Sequence, residues 1–288
     1  MLIWWSVMVV IGAINFCLVW TIFIRTRRQD SQYTPEHRRF VRWAQMLGVI
    51  FVSVAFYRTI FVSSYPSRLA WFDTMLNSPF VIRSLALFAE LSFITLIALI
   101  FLHMPQLDGG ANKRSGFHAY LSKAPIIAVV CIFAAQFSSF GGLITQYNFL
   151  FAIEETLWAL AFISLTPLVI ARLRQNSHST AVNNKYRIFL IVMAVWCAGY
   201  LAFQCFYALP FMYYAHLADG LHSIVFAEAL RQAIFDFTAT QNYSTWGGLG
   251  FFIWQSGYFS ICSWMVLYFM TVPPSQIMPA ASRNPLRP

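Results

Sequence analysis

The stretch that decides the fold is residues 79–103, which read PFVIRSLALFAELSFITLIALIFLH. A helix needs about 20 predominantly apolar residues to cross roughly 30 Å of bilayer hydrocarbon, and this stretch carries only two charged side chains, Arg83 and Glu90. It therefore predicts a transmembrane helix. Six further runs of similar character lie at 2–24, 44–63, 125–142, 149–170, 186–213 and 247–272. We expect an all-α bundle of seven transmembrane helices, forming a single domain over residues 1–288.

The composition agrees with a membrane protein and excludes an ordinary soluble domain. Hydrophobic residues make up 59% of the chain and charged residues 10%, whereas soluble domains carry about a quarter charged residues. The net charge of +9 does not indicate a nucleic-acid partner, because the basic residues lie in short segments between apolar runs rather than on one domain face. Membrane lipids are the expected surroundings.

The distribution of Lys and Arg predicts the orientation. Fifteen of the 19 basic residues follow the first, third or fifth span or lie in the tail, and the other four are Arg58, Arg68, Arg83 and Arg231. Cytoplasmic segments near span ends are enriched in basic residues, so the N-terminus is expected outside and the C-terminus in the cytoplasm. The first span lacks a preceding basic region and exceeds a signal-peptide core, so we expect it to remain in the mature protein. A bacterial inner membrane and a eukaryotic membrane fit this multi-pass pattern equally well.

The outer segment between spans 6 and 7 predicts a short amphipathic helix at about 223–238. Its apolar side holds Phe226, Leu230, Ala233, Ile234 and Phe237, and its polar side holds Glu228, Arg231 and Gln232. One interpretation is an interfacial anchor with an ion pair between Glu228 and Arg231. The other is a lid over an outer cavity.

Polar side chains of four predicted spans share one depth. At 1.5 Å per helical residue, Glu90 lies about 16 Å below the outer boundary, Glu154 and Glu155 about 10 Å, and Gln204 and Gln255 about 12–13 Å. Charged groups within spans usually face the bundle interior and mark functional paths. The sequence therefore predicts a ligand-binding site in the outer half of the bundle, formed by Arg58, Arg83, Glu90, Glu154, Tyr200, Gln204, Tyr207 and Gln255.

Structural interpretations of the same residues remain open at this stage. Arg58 and Arg83 lie close enough to the outer boundary to extend to the surface, and glutamines in spans can simply join helices by hydrogen bonds. Arg83 and Glu90, seven residues apart, share a helix face and can form a purely structural bridge. Glu154 and Glu155 are about 100° apart around their helix, so only one is expected to point fully inward.

A divalent metal site is an alternative at the outer rim. His216, Asp219 and His222 have the spacing H-x-x-D-x-x-H, and the carboxylates beneath them offer further oxygen ligands. The competing interpretation is a pair of solvated histidines, because positions i and i+6 do not share a helix face. The zinc-hydrolase spacing H-E-x-x-H, the G-x-S-x-G motif and a phosphate-binding glycine loop are absent from the sequence.

Seven helices with the N-terminus outside resemble hormone-type receptors and microbial rhodopsins in topology, and the resemblance ends there. Retinal is not expected as a cofactor, because Lys113, Lys123 and Lys185 are the only lysines and all fall in predicted cytoplasmic segments. The D/E-R-Y and N-P-x-x-Y motifs of G-protein-coupled receptors are missing from spans 3 and 7.

Three classes of function fit the predicted polar layer. The first, which we favour, is an outward-facing pocket that binds a small ligand or a metal ion. The second is a membrane-embedded enzyme in which Glu90 and Glu154 or Glu155 act as acid and base or as metal ligands. The third is an ion-coupled transporter with Glu90 as the carrier. A structural subunit of a larger membrane complex is a further alternative.

Overall fold

The structure is a computed structural model that describes residues 1–28, 33–104, 116–177, 184–217, 226–246 and 248–272. Helices, including short 3₁₀ and π-helical turns, account for 86% of these residues. The α-helices are α1 (Leu2–Arg28), α2 (Pro35–Ile60), α3 (Pro79–Leu102), α4 (Gly116–Thr145), α5 (Asn148–Ser177), α6 (Asn184–Phe203), α7 (Leu209–Leu217), α8 (Phe226–Phe235), α9 (Leu249–Ser256) and α10 (Ser263–Phe269). The expected all-α fold is confirmed.

Six helical units in the described part of the chain are long and apolar enough to cross a membrane. They are α1 to α5 and the unit Asn184–Leu217, in which a π-helical turn at Gln204–Ala208 joins α6 to α7. The predicted seventh span, 247–272, corresponds to α9, a π-helical turn at Gly257–Cys262, and α10 in series. The chain is therefore a multi-pass membrane protein by the length and composition of its helices.

Consecutive helices pack as neighbours, from α1 against α2 through to α5 against α6, and α10 packs against α1 and α2. Two hydrogen bonds mark the ends of the bundle. The indole Nε1 of Trp5 donates to the carbonyl of Ile60 at 3.1 Å, and at the other end Tyr268 donates to the carbonyl of Lys185 at 2.8 Å. We call the end with Met1 the N-terminal face.

The helices extend beyond the predicted apolar runs. α4 begins at Gly116 rather than at residue 125 and contains Pro125 within it, and α5 continues to Ser177 rather than ending near residue 170. Hydropathy marks only the part of a helix that suits hydrocarbon, so polar helical ends fall outside such a prediction.

A small sheet covers part of the N-terminal face. β1 (Ser63–Ser64) pairs antiparallel with β2 (Leu69–Ala70), and β2 pairs in parallel with β3 (Thr238–Ala239). We call residues 61–78 together with 238–246 the cap. Trp71 and Trp246 of the cap are buried against Trp4 and Trp5 of α1. The sequence did not predict these strands, because two residues are too few for an alternating pattern.

The predicted amphipathic helix, at about 223–238, exists as α8 (Phe226–Phe235). Residues 223–225 lie outside the described residues, and α8 ends three residues earlier than expected. Ala229 and Ala233 are buried, with α8 packed against α3 and α4, while Phe226 at its start is exposed. The predicted ion pair between Glu228 and Arg231 is present at 2.8 Å.

Candidate functional site

A cavity of about 420 Å³ lies between the cap and the helices α2, α3, α5, α6, α7 and α9. Seven of the eight side chains predicted to bind a ligand line it, namely Arg58, Arg83, Glu90, Glu154, Tyr200, Tyr207 and Gln255. The eighth, Gln204, lies directly behind the wall, where its Nε2 atom is 2.6 Å from both Tyr200 Oη and a carboxylate oxygen of Glu155. The structure thus gathers residues of five predicted spans at one place.

Arg83 is the centre of a buried polar cluster that joins three helices. Its Nη1 donates to Glu90 at 2.8 Å and its Nη2 donates to Gln136 at 2.6 Å, while Nη2 lies 3.4 Å from Glu154. Gln136 in turn donates to the second oxygen of Glu90 at 3.0 Å. Arg83 is 1% exposed, so it does not extend to the surface, and its charge is compensated by two carboxylates.

Arg58 is buried in a different manner. It is 5% exposed, so it too does not reach the surface. Its guanidinium carbon lies 4.8 Å from the ring centre of Tyr258, 5.5 Å from that of Phe259 and 5.6 Å from that of Tyr65. Among the described residues, its Nε and Nη1 atoms have no hydrogen-bond partner, and no carboxylate lies within ion-pair distance. Aromatic faces attract a cation but do not replace the hydrogen-bond acceptors that its N–H groups lost on burial.

Both acidic residues of α5 line the cavity, where Glu154 is buried and Glu155 is partly buried; the sequence predicted that only one of them would point fully inward. Glu154 approaches Arg83 of α3, and Glu155 accepts from Gln204 beyond the end of α6. The reason is the position of α5, which packs against α4 on one side and against α6 and α7 on another. Two faces of this helix are therefore interior.

Other polar atoms around the cavity also lack partners. Among the described residues, Gln255 Oε1, Tyr258 Oη and Tyr65 Oη are buried without a hydrogen bond. Buried polar groups in folded proteins are nearly always paired with protein or with water. Together with Arg58 they form an unsatisfied polar region of a cavity that is otherwise rich in aromatic side chains, among them Trp158, Trp196, Phe203, Tyr207 and Trp254.

Sequence analysis missed three side chains of the site, Gln136, Tyr65 and Tyr258. Gln136 lies nine residues before the end of α4, which is about 14 Å of helix, so it shares the predicted depth and the same calculation would have found it. The depth calculation would also have found Tyr258. Tyr65 belongs to the cap, where helical depth has no meaning and the sequence gives no signal.

The predicted metal site receives no support from the described residues. His216 packs against the rings of Tyr147 and Phe149, at 5.2 and 4.9 Å between ring centres, and Asp219 and His222 lie outside the described residues. In the described ranges, no group of three or more His, Cys, Asp or Glu residues could hold a metal ion. The carboxylates beneath the rim are engaged by Arg83 and by amide groups instead.

No protein-family model matches the chain, and no curated protein sequence or solved structure matches it either.

Among the described residues, none of the serine or cysteine side chains of the cavity is hydrogen-bonded to a carboxylate or a histidine, the arrangement that activates a nucleophile. Glu90 is held from both oxygens, by Arg83 and by Gln136, which leaves it poorly placed to pass a proton to a substrate. A polar end with unused hydrogen-bonding groups and an apolar wall is the usual composition of a small-molecule site.

Proposed function

We propose that this chain is a seven-span integral membrane protein, with its N-terminus outside and its C-terminus in the cytoplasm, that binds a small organic anion in an outward-facing cavity. The helical stretch 249–269 is the seventh span, since 21 residues extend about 31 Å at 1.5 Å per residue. Its packing against α1 and α2 supports a place within the bundle. Fifteen of the 19 basic residues then fall on the cytoplasmic side.

The observation that carries the proposal is the buried guanidinium of Arg58, which faces the cavity with two unpaired N–H groups and, among the described residues, no carboxylate within ion-pair distance. An isolated buried charge is costly unless it is paired. A carboxylate or phosphate of a ligand would supply both the charge and the acceptors that Nε and Nη1 lack. The carboxamide of Gln255 and the hydroxyl of Tyr258 are available to the remaining polar atoms of such a ligand.

The orientation is testable by cysteine labelling in intact cells. Ala208 and Ala215 line the cavity, and Gly116 begins α4 at the opposite end of the bundle, with open space around its Cα. In a background without native cysteines, A208C and A215C should react with a membrane-impermeant thiol reagent added outside. G116C should react only after permeabilisation. The reverse pattern would overturn the outward orientation.

Ligand binding is testable with 2-naphthoate, an aromatic carboxylate that matches the aromatic wall and the cation. Calorimetric titration of the protein in lipid nanodiscs should give saturable one-to-one binding. Arg58→Gln should weaken it tenfold or more, since hydrogen bonds to charged groups contribute about 1.5–3 kcal/mol. Arg231→Gln, which removes an exposed arginine of α8, is the matched control and should leave binding unchanged. Equal affinity in the wild type and in R58Q would refute the proposal.

A further inference from the structure

A second cavity of about 480 Å³ lies between α6 and the helical stretch 249–269. Its edges are formed by apolar side chains that are exposed in the structure, among them Val195, which is 69% exposed, and Ile253, which is 57% exposed. Both lie well inside predicted spans, where the surroundings are hydrocarbon. We call this cavity the groove.

The groove adjoins the ligand cavity. The same five aromatic side chains, Trp196, Tyr200, Phe203, Trp254 and Tyr258, line both. Tyr258 lies directly under the guanidinium of Arg58. The two cavities therefore meet at a shared aromatic wall, one ring of which contacts Arg58.

Two glycines keep the groove open. Gly199 on α6 and Gly257 on the facing helical stretch both line it, and a Cβ atom built on either would meet no described atom within 4 Å. By contrast, a Cβ on Gly12 would lie 2.6 Å from Thr59, so glycine there permits close packing between helices. The glycines of the groove border free space instead.

We infer that the ligand is a single-chain anionic amphiphile that enters from the membrane, with its head group at Arg58 and its hydrocarbon chain passing between the rings of the shared aromatic wall into the groove. This inference rests on the proposed function. A hydrocarbon chain needs no hydrogen bonds, so it suits a groove lined by isoleucine, valine, glycine and aromatic rings. A carboxylate or phosphate head suits the unpaired arginine. A neighbouring transmembrane helix would cover the groove but would leave the charge of Arg58 uncompensated.

Native mass spectrometry of the detergent-solubilised protein with palmitate, and separately with 1-hexadecanol, tests the inference. The wild type should form a one-to-one palmitate adduct and much less of the hexadecanol adduct, because the alcohol has the chain without the charge. Gly199→Trp and Gly257→Trp, which fill the groove, should each reduce the palmitate adduct tenfold or more. Val130→Trp is the matched control, since Val130 is an exposed apolar residue of α4 away from the groove, and it should bind palmitate as the wild type does.

The same variants separate this inference from the proposed function. Both groove variants should retain 2-naphthoate binding, whereas R58Q should lose both ligands. If G199W and G257W keep the palmitate adduct, or if hexadecanol binds as well as palmitate, the amphiphile inference is wrong even where naphthoate binds. Conversion of a dimer to a monomer by G199W, with palmitate binding unchanged, would instead make the groove a contact between two copies of the chain and would equally overturn the inference.

Discussion

The guanidinium of Arg83 and the carboxylate of Glu90, seven residues apart on α3, form an ion pair in which Nη1 lies 2.8 Å from Oε1. Two helical turns separate the two Cα atoms, so the long arginine side chain must run along the helix to reach its partner. The pair is buried and is extended by Gln136 and Glu154 from two neighbouring helices. It ties α3, α4 and α5 together on the cavity side.

Loss of the central cation should destabilise the bundle strongly. Arg83→Met leaves Glu90 and Glu154 buried without a counter-charge, and removal of one partner from a buried pair typically costs about 3–5 kcal/mol. The free energy of unfolding, measured by titration with a denaturing detergent in mixed micelles, should fall by that amount.

The matched variant is Glu90→Gln, which removes one of the two carboxylates while Glu154 stays 3.4 Å from the arginine. Its cost should be smaller, about 1–3 kcal/mol, the usual effect of an impaired buried hydrogen bond. A loss below 1 kcal/mol for R83M, or a greater loss for E90Q than for R83M, would contradict the assignment of Arg83 as the central residue.

The hydrogen bonds of Asn77 should stabilise the cap. Its side chain is fully buried, accepts from the backbone N–H of Phe72 at 3.0 Å and donates to the carbonyl of Val62 at 2.7 Å. Asn77→Ala leaves both backbone groups unsatisfied, at about 1–3 kcal/mol for each group that finds no water. Hydrogen exchange of residues 61–74 should accelerate in N77A and stay unchanged in the neighbouring exposed variant Asp73→Ala. Equal exchange in both variants would show that the cap is held by other contacts.

Much of the candidate site was accessible from the sequence because depth along a transmembrane helix is proportional to residue number. Glu90, Gln204 and Gln255 share a layer by that count, and polar groups within spans face the interior. The depth of a residue does not show how its helix is rotated about its own axis or which helices pack against it. For that reason the contact of both Glu154 and Glu155 with the cavity, and the contrast between paired Arg83 and unpaired Arg58, required coordinates.

The fold, like the site, is predictable from the sequence in some parts and not in others. Long apolar runs predict transmembrane helices because hydrocarbon imposes length and composition together. Hydropathy does not predict the cap, because its strands β2 and β3 have two residues each and pair across about 170 residues of sequence. The π-helical turns at Gln204–Ala208 and Gly257–Cys262 likewise leave no mark in the hydropathy pattern.

Glycine should be required at position 12 and dispensable at position 199. An alanine Cβ at Gly12 would lie 2.6 Å from Thr59 Oγ1 and 3.1 Å from Phe56 Cδ2, and such overpacking typically costs about 1–3 kcal/mol. Gly199→Ala meets no described atom within 4 Å and should be neutral or stabilising by up to about 1 kcal/mol, because alanine is the better helix former. Unfolding titrations should therefore show a loss of stability for Gly12→Ala and none for Gly199→Ala, and equal destabilisation would exclude the packing argument.

The ion pair on α8 should have an acid-range titration that depends on Arg231. Hydrogen bonds from Arg231 and Gln232 lower the pKa of Glu228 from 4.5 to about 2. Because the folded pKa lies below the unfolded value, the stabilisation is complete above about pH 4.5 and is lost as the pH falls through about 2. Both side chains are well exposed, so we expect only a minor effect on the stability of the bundle.

Carboxyl carbon NMR, assigned with Glu228→Gln, should show the resonance of Glu228 titrating near pH 2 in the wild type. In Arg231→Gln the pKa should rise towards 4.5, while Asp236→Asn should leave it low. A wild-type titration near pH 4.5 would mean that the pair does not persist in solution.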